Sequence, residues 1–193
     1  MSLKTPIGII SFPVLFTPRA LAGNMAGGEP RFSCSLLFDA VAQKTPEFLA
    51  MRKAVAQAID ERWGKGKSQD KAFLSKIRMP FRKCSDKTYD GYDIPGGVYI
   101  SPWTKTRPGI VDANRQEITV PGDVWAGQSA RATVNCRAYA QQGNQGVHFL
   151  LNNVQICRTD GRRLDGRKSA LEDFEEFSDV GALDSTVEEE IPF

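Results

Sequence analysis

A pair of strands near the end of the chain constrains its fold more than any other feature. Residues 129–140 alternate between small apolar side chains and polar or charged ones, which is the period of a strand with one buried face. Residues 147–158 form an apolar run that indicates a second strand, and the polar residues 141–146 between them indicate a hairpin loop. The polar face of the first strand carries Arg131, Arg137 and Tyr139.

The rest of the chain predicts further short strands and one long helix. Strands are expected at 7–16, 31–38, 98–103 and 117–120, and Pro13 places the first of them at an edge or a bulge. No internal repeat is present, and strands do not alternate with helices. The pattern therefore predicts a mainly β protein, a β-barrel with one inserted helix.

The helix has clear start and stop signals. Thr45 is a favourable N-cap, and Pro46 fits the first helical position, where its missing N–H costs nothing. Apolar residues then recur with a period near 3.6 until Gly64. An amphipathic helix is predicted over 46–63, with a shorter helical turn at 70–74.

Charge is divided unevenly along the sequence. The chain has 25 Lys and Arg residues against 23 Asp and Glu residues, but nine of the acids lie in 171–193, which contains no Lys or Arg. Residues 1–170 therefore carry 25 cations against 14 acids, a net charge of +11. We expect one domain over 1–170, which favours a polyanion as partner, and a disordered acidic C-terminal tail over 171–193.

The tail has two interpretations. It could act as a solvated terminus that keeps the protein soluble, which is what most acidic tails do. Its last residues could also dock on a partner, with an aromatic ring in an apolar pocket and the acids against Lys or Arg. The candidate partner-binding residues are Ile191, Pro192 and Phe193.

Residues 76–107 interleave aromatic and basic side chains, as single-stranded nucleic-acid binding requires. Unpaired bases stack on aromatic rings at about 1–3 kcal/mol each, while cations neutralise phosphates. With the outer face of the hairpin, the candidate nucleic-acid-binding residues are Arg78, Phe81, Arg82, Lys83, Tyr89, Tyr92, Tyr99, Trp103, Lys105, Arg107, Arg131, Arg137 and Tyr139. Phe81 and Tyr99 could equally lie in the core, whereas Tyr89 and Tyr92 flank a turn and are expected to be exposed.

Other chemistry finds little support in the sequence. The single histidine, His148, lies in an apolar strand and is expected to be structural, and the four widely spaced cysteines are expected to be reduced thiols. The acids of the body are scattered through turns, and no Gly-rich stretch carries a P-loop Lys. We therefore expect no enzyme, no metal and no cofactor. No apolar run of about 18 residues and no signal peptide are present, so no membrane partner is expected.

The run 146–166, and within it Leu151-Asn152-Asn153-Val154-Gln155, resembles a phage and prophage family of single-stranded DNA-binding proteins. The first strand, the helix after Thr45-Pro46 and the Asp173-Phe174 pair extend the resemblance over nearly the whole chain. The tail, which ends in Phe, also resembles that of bacterial single-stranded DNA-binding proteins.

This resemblance implies an OB-fold-like Greek-key β-barrel that binds single-stranded DNA without sequence preference, in the cytoplasm of a host cell. It also implies a tail that recruits phage or host proteins of replication and recombination. From the division of charge we expect this tail to compete with DNA for the basic body. A homo-oligomer is left open. The alternative is an architectural protein that binds duplex DNA or RNA with the same division of charge.

Overall fold

The computed structural model describes residues 2–20, 29–141 and 143–166, together with Phe174. The predicted tail lies outside these residues except for Phe174. The strands are β1 (Leu3–Lys4), β2 (Gly8–Arg19), β3 (Arg31–Phe38), β4 (Arg82–Lys83), β5 (Val98–Ile100), β6 (Trp103–Thr104), β7 (Gly109–Val111), β8 (Ser129–Gln141) and β9 (Asn144–Arg158). The helices are α1 (Pro46–Trp63) and α2 (Lys71–Leu74). The prediction of a mainly β protein with one long helix is confirmed.

Five of the strands close into a barrel. β8 pairs with β2, β2 with β3, β3 with β6, β6 with β9, and β9 with β8 again. The circuit is that of a small OB-type barrel, in which closure removes the open edges of the sheet. The barrel is uneven, because β8 and β9 pair along the whole of β8, whereas β6 meets β9 only at the parallel pair Trp103 and Leu150.

The predicted hairpin is present, but its turn is tighter than expected. β8 and β9 remain paired up to Gln141 and Asn144, so most of the predicted loop 141–146 belongs to the strands. Gly143 in the turn has a φ of +78°, a conformation that glycine adopts without steric cost. Backbone pairing between β8 and β9 therefore continues through these polar residues up to the turn.

The first long strand carries the irregularity that its proline predicted. The pairing of β2 with β3 shifts register between Ser11 and Val14, on either side of Phe12 and Pro13. Phe12 has a φ of +46°, which is rare for a residue with a side chain. The strand also runs to Arg19, beyond its predicted end at residue 16.

The prediction of a strand at 117–120 is wrong. This segment makes only an isolated bridge between Val111 and Glu117, whereas the preceding residues form β7, parallel to β9. β7 pairs with β9 along one edge, and residues 117–120 follow its other edge for only one bridge, so no ladder forms there.

The helix α1 has the predicted bounds. The Thr45 hydroxyl accepts a hydrogen bond from the Phe48 backbone N–H at 3.4 Å. The apolar stripe of α1 is buried in the main core against β8, β9 and β1. Each buried side chain of this size contributes about 1.5–3 kcal/mol. None of the described helices is long and apolar enough to span a membrane.

We expect substitution of Gly127 by Ala to destabilise the fold by roughly 2 kcal/mol or more. Gly127 has a φ of +113°, and a Cβ there would collide with the backbone of Arg162. Gly122→Ala is the matched control, because a Cβ at Gly122 meets nothing within 4 Å and should change stability by less than about 0.5 kcal/mol. Urea unfolding of both variants measures the difference, and equal free energies of unfolding would contradict the close packing of these segments.

Candidate nucleic-acid interface

Strand alternation and register place four polar or aromatic side chains on one outer face of the barrel. On β3, Arg31 lies two residues before Ser33, which pairs directly with Trp103 of β6. On the hairpin, His148 pairs directly with Arg137, two residues before Tyr139 on β8. Residues opposite each other in antiparallel strands, and residues two apart in one strand, point to the same face.

These side chains form a ladder of packed groups across four neighbouring strands, β3, β6, β9 and β8. The Arg31 guanidinium carbon lies 3.9 Å from the centre of the Trp103 ring. The ring centres of Trp103 and His148 are 5.3 Å apart with the planes 31° from parallel, and those of His148 and Tyr139 are 5.2 Å apart at 45°. All four side chains are half-buried, so each is held by its neighbours while part of it stays accessible. We call this set the Trp103 ladder.

The Trp103 ladder lines a cleft of about 600 Å³ with a positive rim. Besides Arg31, the cationic residues that line it are Arg78, Arg82 and Lys105, and no described lining residue is acidic. Glu29, outside the lining, forms an ion pair with Lys105. The hydrogen bond from Lys105 and its charge hold the pKa of the Glu29 carboxyl below its usual value. Both side chains of this pair are exposed, so an incoming phosphate can take the place of the carboxylate.

Backbone pairing fixes Arg78 at the rim. The Arg78 N–H donates to the Gln145 carbonyl, and the Val147 N–H donates to the Arg78 carbonyl, both at 2.9 Å. Between these two contacts lies Gly146, where a Cβ would collide with the Arg78 backbone. A glycine at 146 therefore lets the segment after α2 lie directly beside β9.

The structure brings together about half of the predicted binding residues. Trp103, Tyr139, Arg78, Arg82 and Lys105 line the cleft. Arg137 lies exposed on the same face, in register with His148. Sequence reasoning missed Arg31 and expected His148 to be structural. The period-two alternation of their strands was the available signal, although it needed the register to become informative.

Tyr92 and Tyr99 are buried, so they cannot stack on bases, and the expectation that Tyr92 is exposed is wrong. Both are 3% exposed, in a second small core with Leu37 and Cys84. This core lies on the outer face of β3 and β5, because the segment after β4 folds over that face. Burial of the Tyr92 hydroxyl raises its pKa.

Phe81 belongs to the main core and not to the binding face. Its ring centre lies 5.2 Å from that of Phe48 and 5.6 Å from that of Phe149. Because both neighbours are buried core residues, the core interpretation of Phe81 is the correct one.

The remaining predicted residues lie outside the cleft. Tyr89 is exposed, but beside Phe12 in a different cleft. The Arg131 side chain donates to the Gln155 side chain at 2.8 Å, and the Arg107 guanidinium lies 5.5 Å from the Phe16 ring centre. Lys83 is exposed on β4 and does not line the cleft. The partner-binding candidates Ile191, Pro192 and Phe193 lie outside the described residues.

The titratable groups fit binding better than catalysis. Burial, with the nearby positive charges of Arg31 and Arg137, lowers the pKa of His148, so this ring is neutral at pH 7. Burial raises the pKa of the Cys34 thiol to about 12 and that of Cys84 to about 11, which leaves both thiols protonated and unreactive. Within the described ranges no cluster of His, Cys, Asp and Glu could hold a metal ion.

An OB-type barrel with a row of stacked aromatic rings inside a positive cleft defines the class: nucleic-acid-binding barrel proteins. The comparisons with known proteins narrow this class. The family model described as Enterobacter phage Enc34, ssDNA-binding protein, matches residues 3–186. The chain therefore belongs to this family of phage single-stranded DNA-binding proteins, which are not enzymes.

The individual proteins that this chain resembles are less than a third identical to it in sequence. A protein named putative protein p50, from Acyrthosiphon pisum secondary endosymbiont phage 1, is 29% identical over 183 residues, which cover 92% of this chain and 95% of that protein. The single-stranded DNA-binding protein of bacteriophage Enc34, solved in complex with ssDNA, has a TM-score of 0.61 at 20% identity, covering 82% of this chain and 87% of that one. The gp2.5 single-stranded DNA-binding protein of bacteriophage T7 has a TM-score of 0.59 at 14% identity, covering 87% and 97%. These solved structures confirm the fold.

The lowered pKa of His148 predicts how stability depends on pH. The native state holds this ring neutral, whereas the unfolded chain protonates it near pH 6.5, so falling pH favours the unfolded state. The penalty is absent well above this pH and grows as the pH falls through it. We expect the native protein to lose more stability on acidification from about pH 7.5 to about pH 5.5 than His148→Gln, whose side chain does not titrate. Urea unfolding at both pH values measures this, and equal losses would contradict it.

Proposed function

We propose that this protein binds single-stranded DNA without sequence preference, and that the cleft around the Trp103 ladder is its binding site. The observation that carries the proposal is the ladder itself, a row of half-buried rings framed by cations with no acid in the described lining. Membership of a phage single-stranded DNA-binding family supports it independently.

Each part of the cleft meets a different part of the ligand. Bases of a single strand have free π-faces, which stack on the accessible parts of Trp103 and Tyr139, with the neutral ring of His148 packed between these two. Arg78 and Arg82 neutralise phosphates, and Lys105 exchanges its exposed partner Glu29 for a phosphate. Stacking does not distinguish one base from another, because every base has a π-face.

The preference for single strands follows from the same geometry. The bases of a duplex are already stacked on each other, so the ladder gains nothing from a duplex that stays closed. Only the contacts of cations with phosphates remain available to it, and these weaken as salt rises. Binding of single strands should also weaken with salt, with a log–log slope of about −0.7 for each phosphate neutralised.

The first test removes the indole. Trp103→Ala should weaken binding to oligo-dT by about 1–3 kcal/mol, which is roughly fivefold to 150-fold, whereas Trp103→Phe should retain much of the affinity because its ring still stacks. Fluorescence anisotropy with oligo-dT and with a duplex of equal length measures both effects, and thermal unfolding checks that the variants are folded.

The outcome also decides between the proposal and its alternative. Unchanged oligo-dT affinity in Trp103→Ala, together with duplex binding as tight as single-strand binding, would contradict the proposal. That pair of results would favour an architectural protein that binds duplex DNA or RNA through charge alone.

We further propose that the acidic segment 171–193 regulates the domain formed by 1–170. Its nine acids face a body with a net charge of +11, and they compete with DNA for the same cations. When DNA occupies the cleft, the segment is released, and Ile191, Pro192 and Phe193 recruit replication or recombination proteins in the host cytoplasm. The proposal that these three residues recruit a partner is based on the sequence of the segment alone.

Neutralising part of the segment tests the competition. In the full chain, the combined substitution Glu188→Gln, Glu189→Gln and Glu190→Gln should tighten oligo-dT binding at low salt and reduce discrimination against duplex DNA, because fewer acids compete. Phe193→Ala is the matched control, since it leaves the charge unchanged and should not alter DNA affinity. A salt titration measures both variants, and unchanged affinity in the triple variant would refute competition.

A further inference from the structure

Two large aromatic side chains on the protein surface are not used by the Trp103 ladder. Phe12 is 52% exposed and Tyr89 is 51% exposed, and their rings meet edge to face with centres 5.2 Å apart. We propose that these two rings, with Trp125 and Arg163 beside them, form a second nucleotide subsite that extends the single-strand path beyond the Trp103 ladder. The inference rests on the proposed function and adds a site to it. We call this set the Phe12 surface.

The backbone at Phe12 is strained in a way that exposes its ring. Its φ of +46° lies in the left-handed region, which a residue with a bulky side chain rarely adopts. A phenylalanine ordinarily gains free energy by burial, but the irregular register between Ser11 and Val14 turns this ring outward. Strain that holds an aromatic ring in solvent points to a ligand for the ring.

Tyr89, the other ring of the pair, packs against a buried ring and lies near a cation. Tyr89 contacts the buried Tyr92 with ring centres 5.8 Å apart, and Tyr92 in turn contacts the buried Tyr99 at 5.3 Å. The Lys87 ammonium lies 5.5 Å from the Tyr89 ring centre. The exposed rings therefore form the outer end of an aromatic row anchored in the second core, which gives a base a preformed place to stack.

Polar groups suited to an anionic ligand lie in the same cleft, whose volume is about 490 Å³. The indole N–H of Trp125 is buried and has no hydrogen-bond acceptor among the described residues. The Arg163 guanidinium lies 5.0 Å from the Trp125 ring centre, and Arg19 also lines the cleft. The lining acids are already matched, because Asp90 pairs with Arg162 and Asp165 pairs with Arg163. The exposed Arg19 is the lining cation available to a phosphate, since Arg163 is already paired with Asp165 and the indole N–H is buried.

The position of this surface favours DNA over a protein partner. β2, which carries Phe12, is the neighbour of β3, which carries Arg31. The loop after β6 joins the two regions, since its Lys105 lines the first cleft and its Arg107 lies over the Phe16 ring on β2. Contacts between cations and aromatic rings thus continue from β6 to Phe16 on β2, across two interstrand spacings or about 10 Å, and Phe12 lies four residues away along the same strand. A nucleotide supplies both the base and the phosphate that such a path requires.

Oligonucleotide length separates the two subsites. We expect Phe12→Ala and Tyr89→Ala each to weaken binding of an oligo-dT of about 20 nucleotides by about tenfold, and to leave unchanged the binding of one of about four nucleotides, which fills only the Trp103 cleft. Tyr89→Phe is the matched control and should bind like the unaltered protein, because it keeps the ring. Trp103→Ala should weaken binding at both lengths.

A second measurement keeps the test decisive if Phe12→Ala proves unstable. Oligo-dT carrying 5-iodouracil at every position should photocrosslink to the unaltered protein at Tyr89 or Phe12, as mapped by mass spectrometry, when about 20 nucleotides long but not when about four.

The outcomes separate this inference from the proposed function. Unchanged affinity of Tyr89→Ala for the long oligonucleotide, or no crosslink at the Phe12 surface, would overturn the second subsite while a weakened Trp103→Ala would leave the first intact. In that case the exposed rings would be a protein-docking surface. Equal weakening of Tyr89→Ala at both lengths would also overturn it, since the two surfaces would then form a single site. If Trp103→Ala binds normally at both lengths, the proposed function and the inference built on it both fail.

Discussion

The parallel contact between β6 and β9 is the constraint on which the rest of the structure depends. Only the pair Trp103 and Leu150 joins these strands, yet it closes the barrel. The segment is held from the other side by β3, where the Cys34 N–H donates to the Pro102 carbonyl at 3.3 Å. The residue whose backbone closes the barrel thus also provides the ring that contacts both Arg31 and His148 in the ladder. A change in the backbone at Trp103 would therefore alter both the closure of the barrel and the position of the Trp103 ring in the cleft.

The strand β3 divides its outer face between stability and binding. Along its second half, Leu37 packs with Tyr99 under the segment that follows β4 and forms the second core. Along its first half the same face is open, and it presents Arg31 to the cleft. Because one strand carries both regions, the small core fixes how far the accessible face extends. A base can reach the barrel only where no chain segment already covers it.

The local signals in the sequence were sufficient for the long elements and for part of the site, but not for the short strands such as β7. The caps of α1, the alternation of β8 and the Pro13 bulge each depend on neighbouring residues, and each was predicted. Burial of Tyr92 depends instead on which segment covers the outer face, and this is a contact distant in sequence. His148 could be placed in the cleft only by knowing its register with β8, which no local pattern provides. The interleaved aromatic and basic residues indicated nucleic-acid binding, whereas tertiary contacts decide which of these rings are accessible.

At the proposed site the ladder is assembled in the absence of DNA, which lowers the entropic cost of binding. Arg31 already lies on Trp103, and His148 already lies between Trp103 and Tyr139, so few rotamers remain to be ordered on binding. The neutral state of His148 matters here, since a third charge beside Arg31 and Arg137 would repel both. The neutral ring therefore packs between Trp103 and Tyr139 without adding a third positive charge to this side of the cleft.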